Sequence, residues 1–326
     1  MRAIPNRGGP FFHIPKRKKI MTPDILCLGE PMLEFNQQPD GNYLPGHGGD
    51  TSNCAIAAAR QGASVGYVTH LGADTFGNSF MDLWRSEGID TSTVKQVTTA
   101  HTGIYFVTHG ADGHEFSYFR AGSASSQMER QDLPVDALQQ CKILHVSGIS
   151  QAISDCAADA VFEAIGLTRA AGGKVSYDTN LRLKLWPIER ARAVTHAAMA
   201  QCDIALPGLE DAQQLTGLAE PDAIVDFYLR LGASVVALTL GAEGTLVATP
   251  DERARVQGRM VKAVDATAAG DTFDGAFLAR VAAGDTPFEA ARYANAAAAL
   301  STLGYGAVAP MPRRPEVEAF LSEERS

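Results

Sequence analysis

The chain has 326 residues, 45% hydrophobic and 20% charged, enough to bury a large core under an ordinary polar surface. Its formal charge is −9, and because residues 1–20 hold six cations and no acid, the rest carries −15. So acidic a body makes nucleic acid a poor partner, and no apolar run approaches the roughly 20 residues of a membrane helix.

An anionic ligand would have to be held by locally placed cations and backbone N–H groups. The basic run has no apolar stretch of signal-peptide length after it. Residues 1–21 are expected to be a disordered tail, or an over-extended start with Met21 as the first residue, ahead of one domain over 22–326. The five cysteines (Cys27, Cys54, Cys141, Cys156, Cys202) form no C-x-x-C pair, and the eight histidines show no ligand spacing. Structural zinc and a disulfide framework are therefore not expected, and a reducing cytoplasm fits.

Short apolar runs at 24–29, 64–71, 142–147, 174–178, 203–206 and 234–240 predict buried strands. Helical stretches at 51–61, 152–171, 188–200, 209–216 and 221–231 separate most of them. This alternation predicts an α/β fold of Rossmann type, a parallel sheet with helices on both faces. Residues 31–48 and 101–120 break the rhythm as short alternating strands, the second pair turning at Ala111-Asp112-Gly113. A small β-sheet over the main one follows, either a lid that excludes water or surface decoration. The last third, at 268–280 and 287–303, is mostly Ala-rich helix.

The most informative stretch is Asp265-Ala266-Thr267-Ala268-Ala269-Gly270-Asp271-Thr272-Phe273-Asp274-Gly275, which follows an extended segment (255–264) and opens a helix. Small residues at 268–270 allow close approach of a ligand, and the free N–H groups and dipole of a helix start favour an anion. Asp271, in the first turn, can accept a proton from an attacking hydroxyl. Taken alone, helix capping by Asp271 and turn-filling by Thr267 explain the same residues equally well. A second stretch, Gly48-Gly49-Asp50-Thr51-Ser52-Asn53, pairs two permissive glycines with Asp50 and Asn53 as hydroxyl-binding groups, or else forms a turn and helix cap.

Together, G-G-D-T-x-N, L-G-x-D-x-F-G (71–77) and D-x-T-x-A-G-D-x-F resemble the ribokinase-like (PfkB) family of carbohydrate kinases, collinearly from about Asp24 to the C-terminal helices. Within it, Phe116-Ser117-Tyr118-Phe119-Arg120, Ser147-Gly148-Ile149-Ser150, Gly172-Gly173-Lys174-Val175 and the run from Asp178 to Trp186 resemble 2-keto-3-deoxygluconate kinases. The resemblance implies ATP as phosphoryl donor, Mg2+, and a homodimer formed lid to lid; it leaves a monovalent cation open. It implies that Asp271 is the catalytic base and that Ala268, Ala269 and Gly270 form a backbone anion hole. Thr239, Gly241 and Gly244 would line the nucleotide phosphates, and Asn295 would lie near the adenine. Gly49, Tyr105, Tyr118, Phe119 and Arg120 would contact substrate from the lid. Asn180 and Arg182 would stand between substrate and phosphates.

Three positions depart from the family pattern. Ala268 replaces the first glycine of G-A-G-D, acceptable provided the backbone there avoids positive φ. Gly208–Asp211 replaces N-x-x-E, leaving Asp211 as the one carboxylate able to reach magnesium through water. Ala266 stands where threonine is common. Arg120 and Arg182 offer the donor forks that a carboxylated substrate needs, although Arg120 could instead form a surface ion pair and Arg182 could pair with Asp178 or a phosphate. Trp186 reads as core.

The expected activity is phosphorylation of the terminal hydroxyl of 2-keto-3-deoxygluconate to 2-keto-3-deoxy-6-phosphogluconate. A kinase of fructose or another neutral ketose and a non-catalytic sugar-binding regulator are the alternatives. Gly62-Ala63-Ser64-Val65-Gly66 satisfies G-x-S-x-G, but its helix precedes the serine and its strand follows, the reverse of a nucleophile elbow. Neither a Walker A sequence nor G-x-G-x-x-G occurs, so a P-loop NTPase or dinucleotide enzyme has no residues to rest on.

Overall fold

A computed structural model describes residues 23–110 and 113–323; the expected tail (1–21), and Ala111 and Asp112 of the expected turn, lie outside them. The elements begin with β1 (Ile25–Leu28), β2 (Met32–Gln37), β3 (Tyr43–Gly48), α1 (Asp50–Arg60), β4 (Val65–Gly72), α2 (Thr75–Ser86) and β5 (Val94–Val97). Next come β6 (Gly103–Gly110), β7 (Gly113–Phe119), α3 (Val135–Gln140), β8 (Ile143–Ser147), α4 (Gly148–Ala152), α5 (Asp155–Ala170) and β9 (Lys174–Asp178). The chain continues through α6 (Ile188–Met199), β10 (Ile204–Leu206), α7 (Leu209–Thr216), α8 (Pro221–Leu231), β11 (Val235–Thr239), β12 (Gly244–Ala248) and β13 (Arg253–Gln257). Helices α9 (Ala269–Ala283), α10 (Pro287–Ser301) and α11 (Arg314–Ser322) close it.

The large sheet runs β13-β12-β11-β10-β9-β8-β1-β4-β5. Every pair from β11 to β5 is parallel. Strand β1 shows how two apolar faces arise: Ile25 and Cys27 enter the core beneath α1, α9 and α10, while Leu26 and Leu28 enter the core beneath α5 and α8. The expected parallel sheet is formed over these strands, and it is extended at one edge by β12 and β13, which pair antiparallel with β11 and with each other. Gly244, at φ 105, is the reason the chain can reverse there, since a Cβ would overlap the Val256 carbonyl oxygen. The extended segment expected at 255–264 thus contributes strand only to Gln257. The helix expected over 152–171 is α5, which starts at Asp155 because Ser154 caps it by accepting the Ala157 N–H, while Ala152 ends the separate short α4.

A second sheet, ordered β3-β2-β6-β7, is made by the two segments that break the strand–helix rhythm. Strands β2 and β6 pair parallel, and β3 and β7 flank them antiparallel. It stands over the carboxyl ends of the parallel strands, where ligands gather in such sheets.

Helices α1 and α9 meet backbone to backbone. A Cβ at Gly275 would overlap the Cys54 carbonyl oxygen and come within 2.6 Å of the Ala57 Cβ, so only glycine lets the two backbones approach this far. Gly275→Ala is expected to destabilise the protein by about 2 kcal/mol through forced separation of these helices. Urea denaturation at neutral pH measures it.

Candidate active site

A cleft of about 1930 Å³ lies between the two sheets. Glu30, Asp50, Asn53, Asp178, Asp211, Asp271 and Asp274 line it from the large domain, and Glu34, Tyr105, Tyr118 and Arg120 from the small sheet or its end. Arg182 and Lys184 project from the loop after β9.

The floor is built by two helix starts. At the first, Gly49 takes φ 102, and a Cβ there would come within 2.5 Å of the Glu30 carbonyl oxygen. Its neighbour Gly48 leaves room for the Tyr105 hydroxyl, which a Cβ would meet at 2.9 Å. At the second start, Ala268 is left-handed at φ 59, which corrects the proviso that this backbone stays at negative φ. Helix α9 then begins at Ala269, whose N–H bonds the Ala266 carbonyl at 3.1 Å. The first-turn amides of Gly270 and Asp271 have no intrahelical acceptor, and nothing lies within 4 Å of where a Gly270 Cβ would be. Of the expected 268–270 hole, Gly270 therefore offers a first-turn amide at the cleft together with Asp271, whereas the Ala269 N–H is already bonded.

The Asp271 carboxylate stands at that helix start. Its Oδ2 accepts from Asn53 Nδ2 at 2.8 Å. Burial, and then the neighbouring Asp50 carboxylate, push its pKa up to about 7, with the Asn53 hydrogen bond and Arg182 pulling against them. Asp178 and Asp274 are likewise held well above the usual carboxylate range, first by burial and then by the surrounding acids. A carboxyl group whose proton affinity sits near neutrality is matched to general-base work.

The remaining expected residues divide into those on the cleft and those off it. Asp50 Oδ2 accepts from Asn180 Nδ2 at 3.1 Å, and Asn180 tolerates φ 25 while its N–H bonds Asp178. Arg182 donates to the Leu181 carbonyl and makes no ion pair within 4 Å of Asp178, so the pairing considered from sequence is not formed. Arg120 is buried against Glu30: its Nε donates at 2.8 Å and its Nη2 to the same oxygen, while Ser123 donates to the other. Nη1 takes no part in this fork, and the guanidinium lies over the Tyr118 ring. Tyr105 donates to Glu34 at 2.5 Å. Thr239 lines the cleft.

Four expected residues leave the cleft wall. Phe119 follows Tyr118 in a strand, so alternation turns it outward onto Phe106. Asn295 spends its amide on the Val256 and Gln257 carbonyls and accepts from Thr245, so it ties α10 to β12 and β13 rather than facing a base. Gly244 serves the reversal already described, and Gly241 lies in the turn before it. Sequence reasoning missed Glu30 and Asp274. Glu30 follows the end of β1, and Asp274 is one helical turn past Asp271, so strand-end and i+3 positions are the signals that point to them.

Among the described residues no group of three or more His, Cys, Asp or Glu side chains could cage a metal. Asp211 offers one carboxylate whose Oδ2 already accepts the Leu181 N–H. That donor set fits a magnesium ion carried on phosphate oxygens and touched through water, not one held by protein alone.

A helix-start anion seat beside a carboxylate of near-neutral pKa, roofed by a second sheet, defines a phosphotransferase of the ribokinase fold. Residues 23–314 match the model of the pfkB family carbohydrate kinases, and the chain belongs to that family. It is 31% identical over 316 residues to a 2-dehydro-3-deoxygluconokinase of Bacillus subtilis (strain 168), covering 94% of this chain and 98% of the relative. It is also 31% identical over 317 residues to fructokinase-1 of Zea mays, covering 92% and 98%. The crystal structure of a fructokinase with bound ATP from Xylella fastidiosa superposes with a TM-score of 0.86 at 27% identity, covering 93% of this chain and 99% of that one.

The strain at Ala268 is testable. A left-handed alanine costs about 1–2 kcal/mol, against roughly 0.5–1 kcal/mol for the extra freedom of an unfolded glycine. Ala268→Gly is expected to stabilise the protein by about 0.5 kcal/mol in urea denaturation. Asp271→Asn should raise the Tm of the free protein at pH 8 and change it little at pH 5. The raised carboxyl binds its proton more tightly folded than unfolded, so its ionisation costs stability as pH rises from about 4 through 7.

Proposed function

We propose that this carbohydrate kinase phosphorylates the terminal hydroxyl of 2-keto-3-deoxygluconate with ATP. The observation that carries the reading is the placement of two guanidinium groups, Arg120 and Arg182, in the cleft that holds Asp271. A neutral sugar needs only hydroxyl partners, whereas a carboxylate gains from a planar donor fork. The B. subtilis relative, a 2-dehydro-3-deoxygluconokinase, supports the same choice.

In the proposed reaction Asp271 takes the proton of the attacking hydroxyl as its oxygen forms the new bond to the γ-phosphorus. The β–γ bridging bond breaks and ADP leaves. Amides of Gly270 and Asp271 hold the phosphoryl oxygens as charge builds on them. Asp50 and Asn53 orient sugar hydroxyls, and the Tyr118 ring supports the Arg120 guanidinium. Bound magnesium supplies neutralisation of the phosphate charge, with Asp211 placed to touch its water shell. The small sheet acts as a lid that keeps water out, and association of two copies through it belongs to the same proposal. A cytoplasmic setting fits five free thiols.

A second reading, a neutral ketose such as fructose, is favoured by one contact. Glu30 neutralises much of Arg120, and Zea mays fructokinase-1 is as similar as the sugar-acid kinase. Turnover of a sugar and sugar-acid panel with ATP decides between them; saturable binding without ADP release would instead indicate a regulator. Arg120→Ala should lower kcat/KM for the sugar acid by about 10²-fold or more and for fructose much less. Equal losses on both place the carboxylate elsewhere.

The pH dependence has a defined sign. Because Asp271 must be ionised to accept the proton, kcat/KM should fall about tenfold per pH unit below its pKa of about 7. Asp271→Asn should reduce kcat by roughly 10²-fold or more. Near-normal turnover in that variant would remove Asp271 from the mechanism.

A further inference from the structure

We propose that Asn53 is the positioning residue of the base: its amide N–H pins one carboxylate oxygen of Asp271, leaving the other to meet the substrate hydroxyl, and sets the pH range in which that oxygen accepts a proton. The proposal rests on Asp271 being the base.

The geometry is specific. Asn53 is on the first turn of α1 and Asp271 on the first turn of α9, 218 residues apart, and Nδ2 reaches Oδ2 at 2.8 Å. This is the side-chain hydrogen bond that the structure gives the Asp271 carboxylate. The second observation is at the other end of the amide. Asn53 is only 4% exposed, and its Oδ1 is buried without a partner. A buried amide that leaves its acceptor unmatched has its orientation fixed by the donor end. Rotating the amide would bring Oδ1 against a carboxylate oxygen, like against like, so Nδ2 remains on Asp271. Gly275 makes the arrangement rigid, because α1 and α9 touch along their backbones one turn further on.

Other groups facing Asp271 act in both directions. Asp50 on α1 raises its proton affinity, as burial does, and Arg182 from the loop after β9 lowers it. Asp178 at the end of β9 and Asp274 on α9 interact with it through space. Cys54 on α1 and Tyr105 on the lid sheet feel its charge, while Asp211 on α7 and Cys27 on β1 act on these neighbours. Among all of these, Asn53 alone combines a direct hydrogen bond with a favourable sign. A neutral donor is also the residue type that can do this without adding a further charge to an acid-rich floor.

The test is the acidic limb of the kcat/KM profile for Asn53→Ala and Asn53→Ser, measured between about pH 5.5 and 9.5 with saturating ATP and magnesium, a range that brackets the raised carboxyl. Asn53 also stands among the hydroxyl-binding groups, so the amplitude should fall at every pH. The expected result is that the limb itself moves up by about one pH unit in both variants. A limb that stays where the unaltered enzyme has it, with lowered amplitude only, overturns the proposal. Serine guards against loss of fold in the alanine variant, and a 13C NMR titration of the side-chain carboxyls, with Asp271→Asn to identify its signal, reads the same shift without turnover. The underlying reading fails separately: if Asp271→Asn turns over normally, Asp271 is not the base, whereas an inactive Asp271→Asn with an unmoved Asn53 limb sinks only the role of Asn53.

Discussion

The meeting of α1 and α9 at Gly275 is the contact on which the site depends. Each helix begins at the cleft with a residue in an unusual backbone conformation, Gly49 in one case and Ala268 in the other. Each presents a first-turn carboxylate, Asp50 or Asp271, to the same space. Were the axes a few tenths of an ångström further apart, Asn53 would no longer reach Asp271 at 2.8 Å. The chemistry is thus specified by small residues in the packing seam, not by the polar residues alone. Ala55, Ala57, Ala58, Ala276 and Ala279 extend the same pair of helices and are all buried.

The second constraint is charge. Asp178, Asp271 and Asp274 converge beside Asp50 where desolvation penalises their ionisation, so full charge on these three is opposed by burial and by the neighbouring acids. Such a floor is unfavourable for folding and useful for phosphoryl transfer, since one acid poised near neutrality can both accept and return a proton. The cations are arranged around the floor, not within it. Arg120 is tied back to Glu30, and Arg182 reaches in from the loop after β9 on a single backbone contact.

Much of this architecture is legible in the order of residues along the chain. Strand–helix alternation predicts the doubly wound sheet, and the two irregular segments predict the second sheet. The stretch from Asp265 to Gly275 marks a helix start on the cleft, although by itself it reads as well as a turn and a helix cap as it does as a seat for an anion. The exceptions have identifiable physical reasons. Short exposed β5 (VKQV) lacks an apolar face, and the reversal into β12 depends on one glycine conformation that composition does not encode. Helix α2 carries its signal in the spacing of Phe76, Phe80, Met81 and Trp84, which overlaps the end of a motif. Asn295 sits one helix away from the cleft, and whether its amide faces a ligand or a neighbouring strand turns on hydrogen bonds between distant segments. Asn53 reads as a hydroxyl-binding group; its bond to Asp271 spans 218 residues and has no sequence signal.

On the proposed reading, substrate choice rests on how Arg120 is held. A free arginine on a lid strand would bind many anions, ATP included, in many poses. Glu30, fully buried behind it, takes Nε and Nη2 and leaves Nη1 outside the fork, which converts a mobile charge into fixed donor directions. Ser123 holds the second oxygen of Glu30, so the anchor cannot swing away with the lid. Glu30 offsets the charge of Arg120 at that end of the cleft, so recognition there would lean on donor geometry as well as on attraction. With Nε and Nη2 engaged by Glu30, a substrate carboxylate would meet Nη1 and the outward N–H of Nη2. On that reading Glu30 both lowers the positive potential of Arg120 and fixes the direction of the edge it leaves to the cleft.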